Sequence, residues 1–202
     1  MHQITSIFRC FSPISLVILA CALVTSACAS TSKAKISAAP LTADEARAYE
    51  DGVDFIATLA GLEGRWRDDW DKDLSVRMAS SDAVAVVTVK TVRTDSDPEH
   101  RVTHRLLATV DRVIFGDTRG KEMEFAVREG VPGFMSVNDG LSRIQGKSFV
   151  AYVKWYQAEG GRVAAHWHLS PASTEIVAET ERAAAPRTGQ GSSGDRVIVH
   201  NN

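Results

Sequence analysis

The run AVAVVTVKTVR, residues 83–93, constrains the fold more than any other stretch of this 202-residue chain. As far as Val89, nearly every position is apolar on both alternating faces, and most of the side chains are β-branched. A strand with one face in solvent alternates apolar with polar residues, whereas a strand covered on both faces does not. The run therefore predicts a central strand with a layer of structure on each side.

Four further strands are predicted at residues 101–115, 121–128, 146–157 and 162–169. The apolar alternation of the second strand breaks at Arg112, and a bulge at Asp111 and Arg112 would restore its register. Residues 130–140 contain three glycines and a proline, which predicts a loop of the kind that often carries a binding site. The pattern favours a mainly β domain at residues 83–180, a small five-stranded antiparallel OB-like barrel; a sandwich is the alternative.

Residues 41–82 are predicted to form an acidic helical segment that packs on the barrel, with eleven acidic and five basic residues. Thr42 and Glu45 match a capping box at its start. Apolar residues then recur at helical spacing, at Val53, Ile56, Leu59 and Leu62. A solvated helix face explains the acidity without a special function.

Trp66 and Trp70 are four residues apart, so they lie on one face of a second predicted helix. We expect both rings to pack on the β domain, because aromatic side chains bury large areas in small cores. The functional alternative is an exposed partner-binding surface or a pair of rings that stacks on carbohydrate. A Trp66→Ala variant that binds normally but melts at a much lower temperature would favour packing.

The first 27 residues have the layout of a lipoprotein-type signal peptide. Arg9 precedes an apolar stretch that ends in small residues, and the stretch is shorter than a membrane-spanning helix requires. The sequence VTSAC then predicts Cys28 as the site of lipidation. Cys21 as the lipidated residue and simple cleavage after Ala29 are the alternatives. Residues 28–40 are predicted to be a tether.

The chain has three cysteines, at positions 10, 21 and 28, so none falls in the predicted domain. A disulfide framework, a thiolate zinc site and a cysteine nucleophile are excluded there. The 23 basic and 25 acidic residues nearly balance, which argues against nucleic acid as a partner. A short helix is expected to begin at Thr174, and residues 181–202 are expected to be a disordered tail.

Two groups of side chains are candidates for a site. Tyr152, Lys154 and Tyr156 alternate on one face of a strand, which is predicted to be the outer, ligand-facing side of the barrel. His166 and His168 share a strand face at a spacing that could hold a metal ion, provided that a third ligand approaches. His104, Asp111 and Glu175 are the candidates for that ligand.

Three motifs, VDRVIFGD, GKSFVAYV and HWHLSP, resemble the strands of the netrin-module or TIMP-like OB barrel. That family occurs in bacterial secreted proteins and lipoproteins, so the resemblance implies a barrel fold at the cell envelope. The animal inhibitors of metalloproteinases in this family use disulfides and an N-terminal cysteine, and the domain here has no cysteine. The resemblance therefore implies the fold and not protease inhibition.

These patterns favour a lipid-anchored binding or scaffolding module that performs no catalysis and uses no cofactor. It would be attached to the membrane through its N-terminal lipid and would face the periplasm or the exterior, with secretion as a soluble protein as the alternative. The expected partner is an envelope protein, a peptide or a glycan. The alternative function is a metal-binding or hydrolytic envelope protein that uses His166 and His168; no G-x-S-x-G motif supports a serine hydrolase.

Overall fold

The computed structural model describes residues 40–190, so the predicted signal peptide, Cys28 and nearly all of the tether lie outside the described residues. Within this range the fold is mainly β, as predicted. The elements are α1 (Ala43–Tyr49), β1 (Gly52–Val53), α2 (Arg65–Ser80), β2 (Ala83–Ser96), β3 (Val102–Gly116), β4 (Glu122–Arg128), α3 (Phe134–Ile144), β5 (Ser148–Gln157), β6 (Val163–Pro171) and α4 (Thr174–Gln190). None of these helices has both the length and the apolar character needed to cross a membrane.

The strands form one six-stranded sheet in the order β1-β6-β5-β2-β3-β4. The predicted barrel of five antiparallel strands is wrong in two respects. Two residues of the helical segment form β1, which pairs parallel to β6 through Gly52 and His168 and makes the sheet mixed. The sheet also stays open as a curled half-barrel, because β1 and β4 are its two edges and do not pair with each other.

The predicted central strand is confirmed, since β2 lies between β5 and β3 and residues 83–89 are buried or half-buried on both faces, whereas Lys90, Thr91 and Arg93 are exposed. One core packs under α3 and includes Ala85, Val87, Phe149 and Trp167. The second packs under the other three helices and includes Val84. A fully buried valine stabilises a fold by about 1.5–3 kcal/mol, so packing on each of the two faces stabilises the central strand.

The predicted bulge in β3 is also confirmed. Val86 pairs with Arg112 and Val87 pairs with Val110, so Asp111 is an extra residue in β3. Two further register shifts lie nearby along the same pair of strands. Bulges bend a strand and increase its twist, which explains why the sheet curls.

The predicted helix through Val53 and Leu62 is wrong. Helix α1 has the capping box expected from Thr42 and Glu45, but it ends at Tyr49. Glu50 and Asp51 then adopt positive φ angles of 48° and 51°, a conformation that terminates a helix. The chain leaves in an extended direction, and this is how β1 reaches the edge of the sheet.

The glycine-rich loop predicted at residues 130–140 is largely helix α3. Phe134, Val137 and Ile144 form its buried stripe, and burial of that stripe outweighs the low helix propensity of glycine. The tail prediction also needs correction, because α4 continues to Gln190 through Pro186. Residues 191–202 lie outside the described residues.

Candidate functional site

A cavity of about 370 Å³ opens between α1, α2 and the edge of the sheet formed by β1 and β6. We call it the tryptophan cavity; its lining residues are Arg47, Glu50, Asp54, Ile56, Trp66, Asp69, Trp70, Asp73, Arg77 and His168. Half of them come from α2, at spacings of three and four residues that place them on one face of the helix. The positive-φ turn after α1 brings Glu50 and Asp54 to the same place.

His168 and Asp54 form a buried pair in this cavity. His168 Nε2 lies 2.9 Å from Asp54 Oδ2, and Ser170 Oγ donates to the same oxygen at 2.6 Å. The backbone N–H of Ile56 donates to the other oxygen at 3.0 Å. A carboxylate with these three neighbours is an acceptor, so His168 carries its proton on Nε2 and presents a lone pair at Nδ1.

Burial and the nearby Arg77 guanidinium lower the pKa of His168 to about 4. The imidazole is therefore neutral at neutral pH. Burial alone would raise the pKa of Asp54, but the hydrogen bonds from His168, Ser170 and Ile56 outweigh it, so that the pKa is lower than usual. The pair therefore consists of the neutral imidazole of His168, which donates a hydrogen bond, and the carboxylate of Asp54, which accepts it.

Two buried side-chain polar atoms among the described residues have no hydrogen-bond partner, and both belong to residues that line the tryptophan cavity. They are His168 Nδ1, an acceptor, and Trp70 Nε1, a donor. A buried polar group without a partner costs about 1–3 kcal/mol, so its persistence in a fold calls for an explanation. An unpaired acceptor and an unpaired donor thus lie in the wall of the cavity, on two residues that line it.

Arg77 adds a buried charge to the cavity. Its side chain is 5% exposed, and Nε donates to the carbonyl oxygen of Ala48 at 2.6 Å. Burial lowers the pKa of Arg77, and the carboxylates of Asp54, Asp73 and Glu50 act in the opposite direction. Arginine keeps its proton in proteins, so a guanidinium is available beside the pair.

Trp66 and Trp70 differ in burial, so the interpretation that both rings pack on the β domain applies to only one of them. Trp70 is 5% exposed and packs in the second core, as expected. Trp66 is 66% exposed, so the expectation that it packs on the β domain is wrong. Helix α2 starts at Arg65, and this early position leaves the first ring at the rim of the cavity.

The structure corrects the expectation that Tyr152 faces a ligand. Tyr152 is 0% exposed and its hydroxyl lies 2.7 Å from Thr180 Oγ1 of α4. Burial raises its pKa to about 12. Lys154 is half-buried and bonds Glu45 Oε1 at 2.7 Å, while Tyr156 stacks on His166 at 4.5 Å between ring centroids. The three side chains do not form a common surface, because the helices cover this face.

His166 and His168 share a face of β6, but each is held by its own aspartate. His166 Nδ1 lies 3.2 Å from Asp51 Oδ2, separate from the His168–Asp54 pair. The proposed third ligands have other partners: His104 contacts Thr94 and Asn138, Asp111 contacts Thr88, and Glu175 contacts Thr58 and Leu59. Residues 40–190 contain no group of three or more histidines, cysteines or acids placed to hold a metal ion.

Sequence reasoning missed Asp51, Asp54 and Arg77. Asp51 and Asp54 flank β1, whose pairing with β6 places them opposite the histidines. Arg77 follows Trp70 and Leu74 at helical spacing on the buried side of α2, and a charge in an apolar stripe is a signal for a site. Because a solvated helix face explains the many charged residues of this segment, neither the two aspartates nor Arg77 stood out in the sequence.

The fold and the cavity define a class of protein in general terms: a mainly β half-barrel with a polar, aromatic-rimmed cavity at one edge of its sheet. A comparison with protein families and with curated proteins finds no match for the chain. The chemistry of the cavity is therefore the main guide to the function.

Proposed function

We propose that the protein is a non-catalytic binding module of the cell envelope and that it holds a saccharide in the tryptophan cavity. The observation that supports this most is the pair of unpartnered buried atoms, Trp70 Nε1 and His168 Nδ1, beside the exposed ring of Trp66. Small-molecule sites have volumes of roughly 300–1,000 Å³ and a few polar groups that fix the ligand. The cavity, at about 370 Å³, lies within that range.

A sugar matches these groups because each hydroxyl is both a donor and an acceptor. Once the side chains that cover these two atoms move aside, one hydroxyl accepts from Trp70 Nε1 and another donates to His168 Nδ1. Arg77 and the carboxylate of Glu50 offer a further donor and acceptor in the same cavity. The flat ring of Trp66 at the rim suits the C–H face of a pyranose, since an aromatic face carries partial negative charge.

The envelope location is part of the proposal and rests on the leader sequence alone. Lipidation of Cys28 would tether the domain to a membrane, facing the periplasm or the exterior, where glycans are present. The relationship to netrin-module OB barrels likewise rests on the three strand motifs. Labelling with a fatty acid tests the anchor: wild type should be labelled and Cys28→Ala should not.

Metal binding by His166 and His168 is the less favoured function. Each imidazole already contacts a separate carboxylate, so a shared ion would have to break both contacts. Titration of the purified protein with zinc distinguishes the two functions. Saturable heat at micromolar zinc, lost in His166→Gln, would favour the metal function.

The binding test uses Trp66→Ala in the full chain, titrated calorimetrically with neutral disaccharides and soluble peptidoglycan disaccharides. We expect the affinity for the bound sugar to fall about tenfold or more, because stacking area is lost at the rim. The melting temperature should stay close to that of wild type, since exposed substitutions change stability by roughly 0.5 kcal/mol or less.

Met135→Ala is the matched control, because Met135 is 58% exposed but lies on α3, away from the cavity. It should leave both sugar binding and melting unchanged. The proposal fails if no saccharide binds, or if the two variants lose the same affinity.

A further inference from the structure

A second cavity, of about 490 Å³, lies on the other face of the sheet edge. We call it the basic cavity; Arg143, Lys147, Phe55, Phe149, Ser142 and Ser173 are among its lining residues. Phe149 belongs to the core under α3, whereas the tryptophan cavity adjoins the core under the other helices. The two cavities therefore use different side chains throughout.

The charge of the basic cavity is one-sided. Among the described residues that line it, Arg143 and Lys147 are cationic and none is acidic. Both cations are exposed, and neither forms an ion pair with a described residue. The tryptophan cavity differs, since four carboxylates and two guanidiniums line it. An anion is thus attracted to one cavity and disfavoured in the other.

The rest of the basic cavity combines hydroxyls with an apolar wall. Ser173 caps α4, accepting from the N–H of Ile176 at 3.2 Å, so the positive end of that helix dipole faces the same region. The guanidinium of Arg143 lies 3.8 Å from the centroid of the Phe55 ring. The half-buried Pro171 and Ala172 complete the apolar surface, whereas Phe149 is 2% exposed and adds little to it. The cavity offers cationic and apolar contacts side by side.

We propose that the basic cavity binds an amphiphile, namely an anionic group attached to an apolar body. Arg143 and Lys147 contact the carboxylate or phosphate, and the apolar body lies along Phe55, Pro171 and Ala172. A short inorganic anion would leave the apolar wall unused, and an uncharged apolar molecule would leave the two cations without an anionic partner. This site does not depend on saccharide binding in the tryptophan cavity.

The test titrates octanoate into the full chain by calorimetry, with acetate and octanol as comparison ligands. We expect octanoate to bind about tenfold or more tightly than either, because only octanoate makes both kinds of contact. In the double variant Arg143→Gln/Lys147→Gln, octanoate affinity should fall about tenfold while octanol affinity stays the same.

Arg162→Gln/Lys121→Gln is the control, since it removes the same two charges from exposed residues outside the cavity. It should bind octanoate as wild type does, and sugar binding should be unchanged in both double variants. Equal affinity for octanol and octanoate would overturn the proposal, as would equal losses in the two double variants.

Vesicles distinguish a free amphiphile from a lipid of the bilayer. Phosphatidylglycerol vesicles that bind wild type but not Arg143→Gln/Lys147→Gln would identify the head group of an anionic lipid as the source. Octanoate binding without selective vesicle binding would identify a free fatty acid. The proposal is overturned if octanoate and the vesicles both bind Arg143→Gln/Lys147→Gln as tightly as they bind the control variant.

Discussion

At the scale of single residues, the pairing of His168 with Asp54 determines the chemistry of the tryptophan cavity. Because Asp54 accepts from Nε2, the unpartnered Nδ1 is an acceptor and not a donor. Burial and Arg77 keep the imidazole neutral. A neutral acceptor beside a guanidinium and an indole N–H favours a ligand with hydroxyl groups over a simple anion.

The low pKa of His168 predicts a pH dependence of stability. Its pKa is about 4 in the fold, against 6.5 for an ordinary histidine, so the unfolded chain binds more protons between these values. The free energy of unfolding should therefore fall as pH drops from about 6.5 to 4, by roughly 3 kcal/mol at 1.36 kcal/mol per pH unit. The carboxyl of Asp54 adds its own loss only below its ordinary value of 3.8.

Urea unfolding at several pH values from 7 to 4 measures this effect. His168→Gln is the comparison, since glutamine keeps an N–H for Asp54 and does not titrate. Over this pH range, the free energy of unfolding of His168→Gln should fall by about 3 kcal/mol less than that of wild type. Parallel curves for the two proteins would contradict the assignment.

At the scale of elements, strands were more predictable than helices. Burial on two faces identified β2, and a break in alternation located the bulge at Asp111, because both signals are local in sequence. Helix α3 does not follow from the sequence, because clustered glycines ordinarily indicate a loop. A Cβ at Gly140 would lie 2.3 Å from a ring carbon of Phe55, and one at Gly133 would lie 2.4 Å from the carbonyl oxygen of Glu50. Glycine is required there by close packing, which depends on the partner element.

The approach of α3 to the turn before β1 gives a second prediction. Gly133→Ala should lower the free energy of unfolding by about 1–3 kcal/mol, because the new methyl group would meet backbone atoms of Glu50 and Asp51 and one element must move. Gly61→Ala is the control, since no atom lies within 4 Å of its added Cβ. It should have little effect or stabilise slightly. Urea unfolding of the two variants is the measurement, and similar losses would contradict the packing argument.

At the scale of the whole molecule, one sheet separates two cores. The apolar pattern of β2 indicated a layer of structure on each face of the sheet. It could not show that the sheet stays open, since closure depends on whether the two edge strands, which are far apart in sequence, pair with each other. Edge strand β4 alternates buried Met123, Phe125 and Val127 with charged or small residues. Charges along an edge limit pairing with other chains, so an open half-barrel can persist.

Two fully buried isoleucines test the separation of the cores. Ile144 lies in the core under α3 and Ile176 lies in the core under the other helices. Each change to valine should lower the free energy of unfolding by about 0.5–1.5 kcal/mol. The double variant should lose the sum within about 0.5 kcal/mol, because side chains that share no contacts act independently. Denaturant unfolding of all three variants provides the comparison, and a larger interaction would show that the two layers are one packing unit.

The four residues after β1 link the two cavities. Alternate residues of this segment line different cavities: Asp54 and Ile56 line the tryptophan cavity, and Phe55 and Ala57 line the basic cavity. A ligand that displaces the segment on one side therefore reshapes the wall of the other. If that displacement changes affinity, thermodynamic reciprocity requires each ligand to alter the binding of the other by the same factor. These four residues would then be the structural basis of communication between a sugar and an amphiphile.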